Sequence, residues 1–399
     1  MVAPLRVCFV GLKCYDLLVR APRPRYFGGA ERQEVYIARG LAARGHRVTF
    51  VTLDYGQDDG VEQDGITIYK SYATQDGLPG IRFFHPRWSG LTSALERANA
   101  DIYYQMGADS ETGQIASWCR RHGRRFVFAT ASDSDCERDL PRLRQHRRRW
   151  LYRYGLRRAD AIIVLTNAQQ VRLQQSFELQ SMVIRSCTPD PGFDPGIVGR
   201  RAANRRPRLL WVGRFVPVKR LEILLNVAAH CPDIDFDVAG SGDRSQHEVC
   251  ELEQRAGALP NVSLHGAVFG AELDALYLRA NLLVCTSSWE GVPNAFLEGW
   301  ARGLPVVSTV DPDGMIEEHR LGAVVRDARQ LGTTVRNLLA DPDLTAAQLR
   351  AREYFLSHYT VEASVFALES LFTDLHQRLK SGRSRADSTG PGGPTDGIP

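Results

Sequence analysis

Residues 286–307 read Thr286-Ser-Ser-Trp-Glu290-Gly-Val-Pro-Asn294-Ala-Phe-Leu-Glu298-Gly-Trp-Ala-Arg-Gly-Leu-Pro-Val-Val307, directly after the apolar run 281–285. A short apolar run of this kind suits a buried strand. Pro293 suits the first turn of a helix, where its missing N–H would have no partner anyway, and Gly303 suits the helix end. Because another apolar run starts at Leu304, the pattern predicts strand, loop, helix, turn and strand.

Two carboxylates stand out in this stretch, Glu290 in the loop and Glu298 in the helix. Between them, the free N–H groups and the positive dipole end of the helix form a seat for an anion such as phosphate. Carboxylates only accept hydrogen bonds, so both would suit sugar hydroxyl groups beside that phosphate. The same spacing also fits a plain structural role, in which Glu298 is a surface helix residue and Glu290 a helix cap.

The first half of the chain alternates between apolar runs and helical patterns. A strand at 5–10 is followed by Gly28 and Gly29, which open a helix, and by a second strand at 48–53. Further strand-like runs lie at 66–70, 81–84, 101–105, 126–131, 161–165 and 182–185. This alternation predicts an α/β fold with a parallel sheet, whose ligands bind at the carboxyl ends of the strands. The adjacent glycines would let backbone N–H groups approach an anion closely.

The α/β pattern starts again near residue 209, with basic residues after its first strand. The strand at 209–212 leads into Gly213, Arg214 and then Lys219. A guanidinium offers a planar fork to phosphate oxygens, and an ammonium offers a point charge. Two exposed basic residues are common on any surface, but their place at the end of a strand favours a functional role.

These motifs resemble those of a known family. The spacing of Glu290 and Glu298 resembles the E-x7-E motif of retaining nucleotide-sugar glycosyltransferases of family 4, and the run 213–219 resembles their G-R-(F/L)-x3-K motif. The variant Glu-Gly-Val-Pro-Asn is similar to members that build bacterial polysaccharides. The resemblance implies the GT-B fold, in which two Rossmann-like domains face each other across a cleft.

The resemblance also implies roles for individual residues. Arg214 and Lys219 are expected to hold the donor diphosphate, Glu290 to face the donor sugar and Glu298 to bind the nucleotide ribose. The wider set expected around the nucleotide is Gly28, Gly29, Gly213, Gly240, Gly242, Gly266, Gly291, Val292, Pro293 and Asn294.

The loop at 129–135 follows a predicted strand and carries no histidine, although many relatives have one there near the donor sugar. Ser132, Asp133 and Asp135 are the candidates to replace it, and Asp133 is taken as a catalytic residue. Asp-Ser-Asp also imitates the D-x-D motif of a different glycosyltransferase fold, and two carboxylates can hold Mg²⁺ or Mn²⁺. A helix cap or an acceptor contact is favoured over a metal site, because the resemblance implies that protein groups neutralise the leaving group. No metal or other cofactor is therefore expected.

Composition and charge exclude several classes of protein. The chain has 399 residues, 43% hydrophobic and 24% charged, which is typical of a soluble protein of two or three domains. A net charge of +4 is too small to argue for nucleic acid, and eight scattered cysteines without a C-x2-C pair argue against zinc and a disulfide framework. There is no start like a signal peptide and no run of about 18 apolar residues. A cytoplasmic location with reduced thiols is expected.

The segment from Arg142 to Arg158 contains eight arginines interleaved with apolar and aromatic residues. It fits either a solvated helix face or an interfacial patch that attracts anionic lipid headgroups or a lipid-diphosphate acceptor. In the second case the protein would lie peripherally on the inner face of the membrane. Nucleic acid is not an expected partner, because no RNA-binding module accompanies the segment.

The predicted organisation has five parts. They are an N-terminal Rossmann-like acceptor-side domain at 1–190, a linker at 191–208, a C-terminal Rossmann-like nucleotide-sugar-binding domain at 209–360, a helix at 361–380 that packs back on the N-terminal domain, and a disordered tail at 381–399.

The predicted reaction moves a sugar from a UDP- or GDP-sugar to a hydroxyl of a glycan or lipid-linked acceptor, with retention of configuration and without a metal. The alternatives are a GT-B nucleotide-sugar epimerase, which would convert the donor with no acceptor, and a non-catalytic sugar-nucleotide-binding scaffold, which would bind without turnover. The motifs are common to all donors of the family, so they leave the sugar, the base and the acceptor open.

Overall fold

The protein folds into two α/β lobes. The computed structural model describes residues 4–26, 28–79, 81–203 and 205–388. The strands of the N-terminal lobe are β1 (Arg6–Val10), β2 (Arg47–Thr52), β3 (Val61–Gln63), β4 (Ile66–Lys70), β5 (Ile102–Met106), β6 (Arg125–Ala129), β7 (Ala161–Val164) and β8 (Met182–Val183). The strands of the C-terminal lobe are β9 (Arg208–Val212), β10 (Asp235–Ala239), β11 (Val262–Gly266), β12 (Leu282–Cys285), β13 (Val306–Ser308) and β14 (Gly322–Val324).

Helices connect these strands and cover both faces of each sheet. They are α1 (Tyr15–Leu18), α2 (Gly29–Ala43), α3 (Ser89–Ala98), α4 (Ser110–Arg121), α5 (His146–Leu156), α6 (Asn167–Phe177), α7 (Gly196–Ala202), α8 (Leu221–His230), α9 (His247–Gly257), α10 (Ala271–Arg279), α11 (Asn294–Ala301), α12 (Met315–Glu318), α13 (Leu331–Leu339), α14 (Leu344–His358) and α15 (Val361–Ser388). Short helical turns lie at Phe83–Trp88, Asp133–Cys136, Pro217–Lys219, Pro312–Gly314 and Ala328–Gln330.

Both sheets have the strand order of a Rossmann fold. The N-terminal sheet runs β3-β4-β2-β1-β5-β6-β7-β8, and its pairs are parallel except for β3 with β4. The C-terminal sheet runs β11-β10-β9-β12-β13-β14 and is parallel throughout. In each sheet the order reverses beside its first central strand, β1 or β9, and ligands bind at the carboxyl ends of such a switch point. The predicted fold class, two Rossmann-like domains, is confirmed.

The C-terminal helix α15 belongs physically to the N-terminal lobe. Its apolar face joins the core formed by β1, β2 and α2, through Val365, Leu368, Phe372 and Leu375. On the same helix, Glu369 accepts hydrogen bonds from Arg44 at 2.5 Å and pairs with His46 at 2.9 Å. The last described helix therefore packs on the lobe that contains β1.

The structure differs from the sequence-based expectations in three places. The predicted linker 191–208 contains α7, and β9 already starts at Arg208. The predicted strand at 81–84 is wrong: the segment leads into the kinked helical turn Phe83–Trp88, and Ile81 and Phe84 are 56% and 63% exposed rather than buried. Of the predicted tail 381–399, residues up to Ser388 continue α15, and 389–399 lie outside the described residues.

Candidate active site

Two helices meet end to end in the crevice between the lobes. The N-terminal turn of α2 lies against that of α11, where Gln33 donates a hydrogen bond to the Asn294 side chain at 3.0 Å. The Asn294 amide in turn donates to the backbone oxygen of Gly29 at 3.4 Å. Each helix N-terminus carries free N–H groups and partial positive charge. The predicted phosphate-binding groups of the two lobes, Gly28 to Gly29 and Val292 to Asn294, thus border the same space.

The structure brings the predicted catalytic lysine and glutamate into contact. Lys219 ends the turn after β9, and its ammonium forms an ion pair with Glu290. Ser287 donates a hydrogen bond to the same carboxylate oxygen of Glu290 at 2.8 Å. Each side chain of the pair is about one-fifth exposed (22% and 19%), so both can be reached from the crevice. Arg214 is exposed at the end of β9 and has no side-chain partner among the described residues.

Arg220 organises this loop but was missed by the sequence reasoning. Its guanidinium donates to the backbone oxygens of Thr286 and Ser287 at 2.7 and 2.9 Å and to the Thr309 hydroxyl at 3.0 Å. It thereby ties the turn that carries Lys219 to the loop that carries Glu290. The signal in the sequence was only its place beside Lys219, which did not distinguish a positioning residue from a surface charge.

Glu298 lies inside the protein rather than on its surface. It is 7% exposed, and its two carboxylate oxygens have separate partners. Arg32 of α2 forms an ion pair with one oxygen, and the Tyr277 hydroxyl donates to the other at 2.7 Å. Burial opposes the charge of Arg32, but the adjacent Glu298 carboxylate outweighs it, so the pKa of Arg32 is raised. The alternative of a surface helix residue is therefore wrong, and the predicted ribose contact of Glu298 stays a prediction.

Asp133 faces the Glu290 loop from the other lobe. A methyl group added at Gly291 would lie 3.1 Å from the Gln169 amide nitrogen and 3.8 Å from an Asp133 oxygen. The Asp133 carboxylate accepts a hydrogen bond from Gln169 at 2.9 Å and pairs with Arg172 at 2.9 Å. The two lobes thus place Asp133 and Gly291 on opposite walls of one narrow space.

The two carboxylates of the Asp133-Ser-Asp135 turn have different partners. Asp135 turns inward and accepts hydrogen bonds from the backbone N–H groups of Ala131 and Ser132 at 2.7 and 3.2 Å, and its burial raises its pKa. Asp133 points instead toward α6 and the crevice. A metal ion held by both carboxylates would require them to converge, which this geometry opposes. Among the described residues, no group of three or more histidine, cysteine or acidic side chains could hold a metal ion.

The predicted nucleotide-binding glycines of the C-terminal lobe allow its strand ends to converge. Gly240 has φ +147°, and a Cβ there would lie 1.7 Å from the carbonyl oxygen of Gly213. Gly240 also donates a backbone hydrogen bond to Gly266 at 2.7 Å, and a Cβ on Gly242 would lie 2.9 Å from the backbone oxygen of Phe215. These glycines are required by the packing of the loops, whether or not they contact a nucleotide.

Comparisons with known proteins agree with this architecture. The model described as "Glycosyl transferase 4-like domain" matches residues 28–184, and the one described as "Glycosyl transferases group 1" matches residues 206–341. One match therefore falls on each lobe. The chain belongs to the GT-B glycosyltransferases of family 4 type, as its motifs predicted.

Individual relatives are distant. The alpha-D-kanosaminyltransferase of Streptomyces kanamyceticus is 26% identical over 234 residues, which is 52% of this chain and 60% of that protein. The chain thus spans less than two thirds of this curated relative. The sucrose-phosphate synthase of Thermosynechococcus elongatus has a TM-score of 0.75 at 18% identity, covering 93% of this chain and 99% of that one. Anabaena Alr3699/HepE, solved with UDP and glucose, has a TM-score of 0.70 at 18% identity, covering 92% and 99%. These two structures share the fold.

Proposed function

We propose that this protein transfers a sugar from a nucleotide-sugar donor to a hydroxyl group of a glycan or lipid-linked acceptor, with retention of configuration. The observation that carries the proposal is the convergence of Lys219, Glu290 and the N-termini of α2 and α11 at one crevice. An ammonium and two positive helix ends suit a diphosphate, and the Glu290 carboxylate suits the hydroxyl groups of the attached sugar.

The chemical task is to stabilise the departing nucleoside diphosphate. Negative charge grows on its phosphate oxygens as the bond to the sugar breaks. Fixed positive groups aimed at that charge lower the barrier, often by several kcal/mol. Lys219 and the helix ends supply such groups, and Arg214 lies exposed at the same strand end with no competing partner among the described residues.

Retention is proposed to occur by attack on the same face of the sugar. A double displacement would need a carboxylate nucleophile against the anomeric carbon, but the Glu290 carboxylate is engaged by Lys219 and Ser287. In the same-face route the leaving phosphate accepts the proton of the acceptor hydroxyl. Asp133, on the opposite wall, would orient the sugar or the acceptor through hydrogen bonds.

The reaction is proposed to need no metal ion. The support is the divergence of Asp133 and Asp135, each of which already has protein partners. Transfer should therefore persist in the presence of a chelator such as EDTA. Loss of turnover in EDTA that returns with Mg²⁺ or Mn²⁺ would contradict this part of the proposal.

The decisive experiment starts from donor binding. A panel of UDP- and GDP-sugars is scored by thermal shift, because a ligand that binds only the folded protein raises its stability. UDP-sugars come first, since Anabaena Alr3699/HepE was solved with UDP and glucose. Transfer is then followed with the donor that binds and a set of glycan and lipid-linked acceptors.

Lys219→Ala is the test variant for transfer. Loss of one preorganised charge at the leaving group should lower kcat by roughly 100-fold or more. Arg336→Ala is the control. Its ion pair with Asp233 is exposed and lies just before β10, at the amino ends of the strands, whereas Lys219 follows the carboxyl end of β9. Near wild-type turnover of Lys219→Ala would refute the proposal. Donor conversion without acceptor would favour an epimerase, and binding without any turnover a scaffold.

A peripheral membrane contact is proposed as part of the acceptor function. On α5, Trp150 is 63% exposed and stacks on Tyr154 at 5.5 Å. Arg147 lies over the ring of Phe83 at 3.7 Å, next to the exposed Phe84. Exposed aromatic groups among arginines suit anionic lipid surfaces. Part of the basic segment has local partners instead, such as Asp109 for Arg148.

Vesicle sedimentation tests this contact. Binding to phosphatidylglycerol-containing vesicles, but not to pure phosphatidylcholine, should weaken in Trp150→Ser. Equal binding of the variant and the wild type would contradict the contact at Trp150, and no binding by the wild type would show that α5 is a solvated helix face. No helix among the described residues is both long and apolar enough to span a membrane. The cytoplasmic, inner-face location stays part of the proposal.

A further inference from the structure

The contact between Arg32 and Glu298 joins the two lobes at the carboxylate that is expected to bind the nucleotide. Arg32 lies on α2 of the N-terminal lobe, and Glu298 lies on α11 of the C-terminal lobe. Both residues are almost buried, at 8% and 7% exposure. The ion pair is therefore shielded from water and salt far more than a surface pair would be.

Each carboxylate oxygen of Glu298 already has a protein partner in this arrangement. Arg32 occupies one carboxylate oxygen and the Tyr277 hydroxyl the other. A guanidinium and a ribose diol are both hydrogen-bond donors, so they seek the same acceptor. Glu298 is 7% exposed, and Arg32 holds one of its oxygens from the opposite lobe, so a ribose that binds this oxygen has to displace Arg32.

We infer that Arg32 is an internal competitor of the nucleotide, which holds Glu298 in the ligand-free protein and so sets the affinity for the donor. This inference rests on the proposed function, because it takes the crevice to be the nucleotide site. If the nucleotide binds only the fraction of molecules in which Glu298 is released, the measured Kd equals the intrinsic Kd divided by that fraction. Arg32 therefore weakens nucleotide binding by stabilising its ion pair with Glu298, without contacting the nucleotide.

A second cross-lobe contact provides a matched control. Asp313 of the C-terminal lobe accepts hydrogen bonds from the backbone N–H groups of Asn167 and Ala168 at 2.7 and 2.9 Å, at the start of α6. This contact also links the lobes, but it does not involve Glu298. Asp313→Asn thus weakens a lobe contact while it leaves the Arg32–Glu298 pair intact.

The experiment measures the binding of UDP, ADP and GDP by titration calorimetry to the wild type, Arg32→Met and Asp313→Asn. Methionine keeps the apolar stem of Arg32 but removes its guanidinium donors, while the hydrogen bond from Tyr277 to Glu298 remains. Arg32→Met should bind the preferred nucleotide about ten-fold more tightly than the wild type, which corresponds to about 1.4 kcal/mol. Asp313→Asn should change the Kd by about two-fold or less.

Whether Arg32→Met binds the nucleotide more tightly or more weakly than the wild type distinguishes a competitor from a residue that contacts the nucleotide. Unchanged or weaker binding by Arg32→Met, while the wild type binds a nucleotide, would overturn the inference and leave the proposed function standing. An equal gain in Asp313→Asn would also overturn it, because general lobe opening would then explain the effect. If no nucleotide binds any variant at millimolar concentration, the proposed function itself fails.

Arg32→Lys keeps the inference testable should Arg32→Met not fold. Lysine retains the positive charge but replaces the planar fork by a point charge, so it should hold Glu298 less firmly. Its affinity for the nucleotide should lie between those of the wild type and the methionine variant, about three-fold above the wild type. A Kd equal to or higher than that of the wild type would contradict the competitor role.

Discussion

Replacing Arg201 with methionine should destabilise the C-terminal lobe much more than the same change at the neighbouring Arg200. The Arg201 side chain is 2% exposed and reaches from α7 into the ends of two helices. Its guanidinium donates to four backbone oxygens, those of Gly303 at 2.9 Å, Tyr277 at 3.0 Å, Arg302 at 3.1 Å and Leu278 at 3.3 Å. These carbonyls end α10 and α11, where the helix dipole is negative.

The expected loss of stability in Arg201→Met is set by two opposing contributions, the hydrogen bonds of the guanidinium and the cost of burying it. A hydrogen bond to a charged group contributes about 1.5–3 kcal/mol, and Arg201 makes four of them. Burial of the guanidinium costs several kcal/mol in lost hydration, which offsets part of this gain. A net loss of about 3–5 kcal/mol is expected for Arg201→Met. Arg200 pairs with Asp194 while both are more than 60% exposed, so Arg200→Met should cost less than about 1 kcal/mol.

Urea unfolding combined with hydrogen exchange tests this prediction. The two lobes need not unfold together, so exchange in peptides from α10 and α11 reports the C-terminal lobe separately. Arg201→Met should lower the free energy of opening for these helices, and Arg200→Met should not. If the two variants lie within about 1 kcal/mol of each other, the inferred role of Arg201 as the cap of both helices is wrong.

Two further predictions concern a glycine and a carboxylic acid. Gly240→Ala should lower the melting temperature and weaken nucleotide binding, because its Cβ would lie 1.7 Å from the Gly213 oxygen. The control is Gly257→Ala at the end of α9, which has open space around it and should be neutral or slightly stabilising. Equal melting temperatures of the two variants would contradict this prediction. Burial, helped by the charge of Asp109, raises the pKa of Glu111 to about 7, so the folded state binds a proton that the unfolded state releases near pH 4.5. Stability is therefore lost as pH rises from about 4.5 to 7 and does not fall further above that. Glu111→Gln removes this dependence, so its melting temperature should rise relative to that of the wild type from pH 5 to pH 7 and stay at a constant difference above that. Parallel pH profiles would show that Glu111 does not titrate in this window.

The sequence by itself determined the elements around the site. The apolar runs, Pro293 and Gly303 predicted a strand and then a helix, and the structure has β12 followed by α11 from Asn294 to Ala301. Gly303 indeed has a positive φ of 61°. The meeting of Lys219 and Glu290 was also foreseeable, because both follow neighbouring parallel strands of one sheet. Hydrophobic period, helix ends and strand ends are local properties, so they can be read along the chain.

Only the tertiary structure decided which partners the charged side chains have. Arg32 and Glu298 are 266 residues apart in sequence and meet because the two lobes pack against each other. Arg201 lies in the predicted linker 191–208, yet its side chain is buried and caps two helices. Asp133 and Asp135 are chemically alike in sequence, but the turn directs one to the crevice and the other to the backbone. The direction of a side chain and the groups that surround it depend on contacts between distant segments, and these contacts leave no periodic trace in the local sequence.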